Sequence, residues 1–220
     1  MAMQKSLAEW EKVFEAHIQA QAGDDPAHDY AHFLRVVTTA RRLATSEGAR
    51  LEVVLPAAWL HDLVNVPKDD PRRSQASRLS ADAAIEFLRR EGFPEKDFAE
   101  IRHAIEAHSY SAKIEVKSKE AAVVQDADRL DGLGAIGIAR VFTVGGLLNR
   151  TLYEPGDPFG SGGRRLDDLV FTLDHFFVKL FKTAETLLTA AGREEGKRRV
   201  ETMKNYLASF GREVGKEFLG

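Results

Sequence analysis

Cysteine is absent from this 220-residue chain. Disulfides and thiolate metal sites are therefore excluded, and histidine and carboxylates remain as metal ligands. No apolar run approaches the length of a membrane span, and the N-terminal residues lack the apolar stretch of a secretory signal. The net charge of −3 supplies no basic field for nucleic acid or anionic membranes. We expect a cytoplasmic protein that binds neither.

Strand patterns are also scarce, since only residues 113–117 alternate between polar and apolar, over too short a run to change the class. Helical periodicity dominates instead. Ser6 and Glu9 predict a capping box, and Gly48 and Gly92 are typical helix ends. Repeats and linkers are missing, so one all-α helical bundle over residues 1–220 is the economical prediction. The longer predicted elements are helices at about 29–47, 51–64, 80–90, 94–108, 167–188 and 194–210, and a loop at 149–165.

The adjacent pair His61–Asp62 follows an apolar helical run, where burying such side chains without a partner would be costly. An imidazole nitrogen and a carboxylate oxygen together suit a divalent cation. On its own the pair is weak support, because a satisfied structural pair is the usual explanation. Two further candidate ligands, His32 and Asp128, lie on separate predicted helices.

The order His, His-Asp, Asp resembles the HD superfamily of metal-dependent phosphohydrolases, which are all-helical proteins. The resembling segments are residues 32–36, 57–62 and 126–131, within a motif-bearing core of about residues 20–140. The resemblance implies C-terminal helices over 167–212 that pack on this core. It also implies a divalent ion, one of Mn, Mg, Co, Ni and Fe; some members of the family hold two ions, and we favour one per chain. The implied metal ligands are His32, His61, Asp62 and Asp128.

Phosphoryl transfer needs a positioned water and cations that balance the developing charge. His28, Asp29 and Asp131 are the catalytic candidates to orient or deprotonate water, although Asp131 is equally suited to capping the turn at Gly132. Histidines 103 and 108 would point about 140° apart on a helix, so we expect only His108 to face the site. The candidate substrate-binding residues are Lys68, Arg72, Arg73, His108, Arg164, Arg165 and Lys179.

The predicted function is metal-dependent hydrolysis of a phosphate ester or anhydride, and the favoured substrate is a nucleotide. Within the resemblance we favour a nucleoside triphosphate pyrophosphohydrolase that releases the monophosphate and pyrophosphate. A nucleotide monophosphatase or phosphodiesterase of the same family remains open. So do a di-iron oxygenase, which would need both His103 and His108 as ligands, and a non-catalytic nucleotide-binding module. A homodimer is left open as well.

Overall fold

The computed structural model describes residues 5–21, 30–66 and 70–220, and its fold is all-α. Within these ranges the only β-type pairing is an isolated bridge between Thr151 and Phe171. A π-helical segment, Phe176–Leu180, runs directly into α8. The helices are α1 Leu7–Gln21, α2 Tyr30–Glu47, α3 Leu51–Leu60, α4 Ala76–Glu91, α5 Phe98–His108, α6 Lys119–Asp131, α7 Gly134–Leu147, α8 Phe181–Glu185 and α9 Ala190–Val214.

The chain divides into two compact units, the first made of residues 1–128 and 188–191 and the second of residues 129–187 and 192–220. In the first unit, α3 is buried over eight of its ten residues and packs against α1, α2 and α5. Such burial explains why α3 reads as a continuous apolar run instead of an amphipathic one. The prediction of one domain over the whole chain stays a prediction.

Helix ends in the first unit follow the predicted signals. The Ser6 N–H and Oγ–H both donate to Glu9 Oε2 at 2.7 Å, which confirms the capping box. Gly48 has φ +64° beyond the end of α2, a left-handed conformation that glycine adopts without steric cost. Ser118 Oγ accepts from the Ala121 N–H at 3.1 Å at the start of α6. These local contacts set where the ligand-bearing helices begin and end.

In the second unit, an aromatic cluster forms the core around Phe176, whose ring stacks on Tyr206 at 6.1 Å and lies 6.2 Å from Phe142. Phe176 is fully buried, as is Met203 of α9. Small residues follow α6, and a Cβ on Gly137 would lie 2.2 Å from the Gly132 carbonyl oxygen. The tight turn into α7 therefore excludes any side chain at that position.

Several boundary predictions were wrong. Helix α3 ends at Leu60, not near residue 64, and α4 begins at Ala76, four residues before its predicted start. Residues 167–173 form turns instead of the first part of a helix, because the Asp174 carboxylate accepts from the Asp167 N–H at 2.6 Å and holds the preceding chain in a loop. Residues 113–117 form turn and extended chain without strand pairing.

None of the helices in the described ranges has by itself both the length and the apolar composition of a membrane crossing, and only the bent pair of α6 and α7 meets those criteria jointly. The predicted loop at 149–165 is present and extends further, to the start of the helical turn at Asp174.

Candidate metal centre

The four predicted metal ligands come from three segments of the first unit. His32 lies in the first turn of α2, His61 is the C-cap of α3, Asp62 follows in the next turn, and Asp128 lies in the last turn of α6. Because α3 ends at Leu60, His61 and Asp62 lie in the turn beyond the helix. Neighbours on a continuing helix would point about 100° apart. The break in the helix is what lets this adjacent pair approach one point.

The burial of α2 accounts for the inward direction of His32. His32, Val36, Thr39 and Leu43 recur at helical spacing and all four are buried, as predicted from their common face. This face belongs to a helix that packs extensively on α3. The His32 ring lies 5.3 Å from the His61 ring, measured between centroids. Apolar packing of α2 against α3 thus places the His32 imidazole beside His61 at the end of α3.

The ligand atoms of these residues converge. His32 Nε2 is 3.3 Å from His61 Nε2, and both nitrogens are 3.8 Å from Asp128 Oδ1. Asp62 Oδ2 is 3.7 Å from His61 Nε2. A first-row divalent ion binds nitrogen and oxygen ligands at about 2.1 Å, so ligands at right angles lie about 3 Å apart and more widely spaced ones further. The separations among the donor atoms of His32, His61 and Asp128 fit a single ion of this kind, and Asp62 Oδ2 lies beside His61 Nε2.

His61 is held in the form that binds metals. Its Nδ1 lies 2.9 Å from the Ala58 carbonyl oxygen, which can only accept a hydrogen bond, so Nδ1 carries the proton and Nε2 presents its lone pair. Burial lowers the pKa of His61 to about 4, against the opposing effect of Asp62. The ring is therefore neutral near pH 7, as a metal ligand must be.

A third histidine, His108, joins the cluster from the end of α5. Its Nε2 lies 3.3 Å from Asp62 Oδ1, and its Nδ1 lies 2.6 Å from the Ile105 carbonyl oxygen. Burial lowers the pKa of His108, but the hydrogen bond and charge of Asp62 outweigh burial and raise it to about 9. The donor atoms of two overlapping groups lie within 4.8 Å of one another: His32, His61 and Asp128, and His61, Asp62 and His108.

The donor set suits the divalent ion that HD domains bind. Two imidazoles and two carboxylates are ligands for Mn, Fe, Co, Ni or Mg, and they leave coordination positions open on a six-coordinate ion. Asp62 and Asp128 are 24% and 28% exposed, whereas His61 is fully buried. The open positions are therefore expected on the solvent side, where the carboxylates lie.

The catalytic candidates are placed differently. His28 and Asp29 lie outside the described residues. Asp131 is buried and accepts a hydrogen bond from Arg140 Nη1 at 2.6 Å, an ion pair within the second unit. Its catalytic role stays a prediction.

The predicted substrate-binding cations are largely engaged within the protein. Arg72 pairs with Asp70 at 2.8 Å and holds the pKa of that carboxyl to about 2, and Arg73 donates to the Val66 carbonyl oxygen at 2.5 Å. In the second unit, Arg164 makes two hydrogen bonds of 2.7 Å to the buried carboxylate of Asp174. Arg165 and Lys179 are exposed. Lys68 lies outside the described residues.

Two other polar residues have structural contacts. His103 Nε2 accepts a hydrogen bond from the Lys117 N–H at 3.0 Å and belongs to neither candidate metal group in the described part of the chain. The fully buried Asp126 accepts from the Leu188 and Thr189 N–H groups and from the Thr189 hydroxyl, at 2.7–3.1 Å. It thus anchors the chain before α9, as expected of a supporting residue and not a ligand.

Sequence reasoning missed two supporting residues, Ser80 and Gln125. Ser80 Oγ accepts from the Val64 N–H at 3.1 Å and so holds the turn that follows Asp62. Gln125 Nε2 donates to the Ala107 carbonyl oxygen at 2.7 Å and ties α6 to the end of α5. Both are buried polar residues. Neither residue belongs to a sequence motif that indicates a supporting role, and only the tertiary contacts reveal this role.

Comparison with known proteins agrees with this geometry. The HD domain family matches residues 29–133. The uncharacterized protein YpgQ of Bacillus subtilis is 30% identical over 221 residues, covering 98% of this chain and 97% of YpgQ. The crystal structure of YpgQ in complex with ADP aligns with a TM-score of 0.73 at 30% identity, over 94% of this chain and 95% of that one.

A second solved structure, an HD-superfamily hydrolase from Bacillus thuringiensis, aligns with a TM-score of 0.75 at 27% identity, over 96% of this chain and 99% of that one. With its helical fold and its converging His and Asp ligands, the chain belongs to the HD superfamily and is an HD-superfamily hydrolase.

Proposed function

We propose that this hydrolase is a metal-dependent nucleoside triphosphate pyrophosphohydrolase, which releases a nucleoside monophosphate and pyrophosphate. The observation that carries the hydrolytic part is the convergence of donor atoms on His61 Nε2, which lies 3.3 Å from His32 Nε2, 3.7 Å from Asp62 Oδ2 and 3.8 Å from Asp128 Oδ1. The similarity to YpgQ, solved in complex with ADP, supports a nucleotide as the substrate. The position of cleavage on the phosphate chain rests on the family resemblance.

The four proposed ligands differ in burial, and this difference suggests different roles for the histidines and the carboxylates. His32 and His61 are buried donors on the protein side, and the two carboxylates face solvent, from which the phosphate chain approaches. A bound ion supplies Lewis-acid polarisation of a phosphate oxygen and makes a water molecule more acidic. The chain itself contributes fixed ligand directions, because the Ala58 carbonyl orients His61 and Ser80 holds the turn after Asp62.

We carry forward Lys68, Arg72, Arg73, Arg164, Arg165 and Lys179 as phosphate-binding residues and His28, Asp29 and Asp131 as residues that orient water. Among the cations, Arg72 has a side chain that is 65% exposed, and its ion-pair partner Asp70 belongs to the same turn. An ion pair at an exposed guanidinium contributes little to stability, so a phosphate can compete with Asp70 for Arg72.

The rival functions are distinguished by products and by metal content. A phosphatase would release inorganic phosphate, and a binding module would bind nucleotide without turnover. The di-iron oxygenase required His103 as a ligand, and the hydrogen bond from Lys117 N–H to His103 Nε2 favours the hydrolase over it. A homodimer and a cytoplasmic location stay predictions.

The test is hydrolysis by metal-stripped protein that is resupplied with Mn²⁺, Mg²⁺, Co²⁺ or Ni²⁺ and given nucleoside tri-, di- and monophosphates. We expect monophosphate plus pyrophosphate from triphosphates, only with metal, and loss of at least 100-fold in kcat for Asp62→Ala. The matched control His103→Gln, outside the cluster, should retain activity. Equal turnover in Asp62→Ala and the parent protein, or inorganic phosphate as the sole phosphate product, would overturn the proposal.

A further inference from the structure

His108, which the sequence predicted as a substrate-binding residue, contacts Oδ1 of the Asp62 carboxylate. His108 Nε2 lies 3.3 Å from Asp62 Oδ1, whereas His61 Nε2 lies 3.7 Å from the other oxygen, Oδ2. The two carboxylate oxygens therefore have different partners. Rotation of the Asp62 carboxylate would break the His108 contact, so this contact fixes which oxygen is directed towards His61.

The position of the His108 ring is itself fixed by the backbone of α5. Nδ1 lies 2.6 Å from the Ile105 carbonyl oxygen, an acceptor, so the ring cannot flip without losing this hydrogen bond. The His108 and His61 rings meet edge to face with centroids 4.9 Å apart. Only 5% of His108 is exposed. A buried ring with both nitrogens directed at acceptors is poorly suited to capture a phosphate from solvent.

A second polar contact holds the end of α5 that carries this ring. Gln125 Nε2 donates to the carbonyl oxygen of Ala107, the residue before His108, at 2.7 Å. Gln125 lies three residues before Asp128 on α6. One hydrogen bond thus ties the helix that bears the ligand Asp128 to the helix end that orients the ligand Asp62.

We propose that His108 is a positioning residue: it holds Oδ1 of the Asp62 carboxylate and so orients this carboxylate for metal binding. Gln125 supports His108 by holding the end of α5. The inference rests on the proposed function to the extent that Asp62 is a metal ligand. Residues that hydrogen-bond to metal ligands typically change metal affinity or activity 10- to 100-fold when they are replaced. This role differs from binding a second ion and from contacting the substrate.

The experiment measures Mn²⁺ affinity and stoichiometry by calorimetry, on the full-length protein without substrate, for the parent and four variants. His108→Leu removes both ring nitrogens, and His108→Gln keeps an amide donor that can reach Asp62. Gln125→Met removes the donor to Ala107 at similar volume. His103→Gln changes a histidine of the same helix outside the cluster. Circular dichroism and thermal unfolding establish that each variant is folded.

We expect one ion per chain in every folded protein. Affinity should fall about 10- to 100-fold in His108→Leu, fall less in Gln125→Met, recover substantially in His108→Gln and stay unchanged in His103→Gln. At saturating Mn²⁺ the kcat of Gln125→Met should approach that of the parent. A merely structural role would lower stability without this order of affinities.

Two results would overturn the inference. Unchanged Mn²⁺ affinity in folded His108→Leu would show that His108 does not position Asp62. Two ions per parent chain, reduced to one in His108→Leu, would make His108 a ligand of a second ion. The proposed function fails separately: metal affinity that follows the expected order, in a protein that hydrolyses no triphosphate, would retain the positioning role and remove the pyrophosphohydrolase.

Discussion

At the scale of single residues, His61 shows how burial prepares a side chain for metal binding. The ring is fully buried and its pKa is lowered to about 4, chiefly by burial. An isolated buried imidazolium would be costly, so the neutral ring is the stable form. The Ala58 carbonyl then selects the nitrogen that remains free. One backbone contact and one apolar environment thus decide both the charge and the direction of the donor atom.

His17, which is not part of the cluster, allows the effect of burial on the pH dependence of stability to be tested by experiment. Its ring stacks on Phe87 with centroids 3.9 Å apart, and burial, followed by the charge of Arg90, lowers its pKa below 6.5. The folded state therefore prefers the neutral ring more strongly than the unfolded state does. Its contribution to stability is present above about pH 6.5 and is lost as the pH falls from there towards the folded pKa.

We predict that His17→Gln reduces the loss of stability on acidification. The free energy of unfolding, measured by urea titration at pH 7.5 and 5.5, should fall less in the variant than in the parent protein. His175→Gln is not a neutral comparison, because His175 contacts Asp168 at 2.7 Å. His103→Gln serves instead. Parallel losses in the parent and His17→Gln would contradict the assigned pKa direction.

At the scale of helices, neighbouring glycines of α7 have opposite environments. A Cβ on Gly145 would lie 2.4 Å from Thr172 Oγ1, and Thr172 is buried. A Cβ on Gly146 would have no neighbour within 4 Å. Alanine is favoured over glycine within a helix by about 1 kcal/mol. Overpacking of a filled site costs about 1–3 kcal/mol and outweighs this gain at the first position only.

Gly145→Ala should therefore destabilise the protein by about 1–2 kcal/mol, and Gly146→Ala should leave it unchanged or stabilise it by up to about 1 kcal/mol. The two variants share composition and helix, so each is the control for the other. Chemical denaturation followed by circular dichroism measures both. If Gly145→Ala were as stable as Gly146→Ala, the close approach of α7 to Thr172 would be wrong.

Helix ends, more than helix centres, position the site. His61 caps α3, His108 ends α5, and Asp128 lies in the last turn of α6. Asp126 and Gln125 anchor α6 just before Asp128, through the chain at 188–189 and the end of α5. Apolar packing sets the helices side by side, and these polar contacts then set their register along the axis.

At the scale of the whole molecule, all four proposed ligands and His108 belong to the first of the two compact units. An ion that binds only the folded protein stabilises it by RT ln(1 + [L]/Kd), which is about 2.7 kcal/mol at one hundred times Kd. Residues that lie far apart in the chain form the cluster, so unfolding disperses them. Binding of an ion by this cluster would accordingly be coupled to folding.

Saturating Mn²⁺ should raise the midpoint of thermal unfolding of the metal-stripped protein by several degrees, and chelator should reverse the shift. Asp128→Asn, which weakens one ligand while keeping its volume, should abolish most of the shift, and His103→Gln should retain it. Differential scanning fluorimetry gives the midpoints. A shift of the same size in Asp128→Asn and the parent would indicate that manganese binds elsewhere.

The amino-acid sequence by itself determined the helical class, the capping box of Ser6 and Glu9, and the candidate set His32, His61, Asp62 and Asp128. These features follow from short-range periodicity, local hydrogen bonds and the order of ligand-forming residues, all of which can be read directly from the sequence. The exact helix ends were predicted less well. The halt of α3 at Leu60 and the turns before Asp174 depend on distant partners, among them Ser80 and Arg164.

Tertiary structure alone decided which side chains meet. It brought His108 to Asp62 and Gln125 to the end of α5, and it engaged Arg164 with Asp174 inside the fold instead of leaving it in an exposed loop. Contacts between residues tens of positions apart are decided by how the helices pack, and a buried charge or amide takes whichever partner that packing provides. Residue types can therefore be read as candidates, but their roles emerge only when their distances are known.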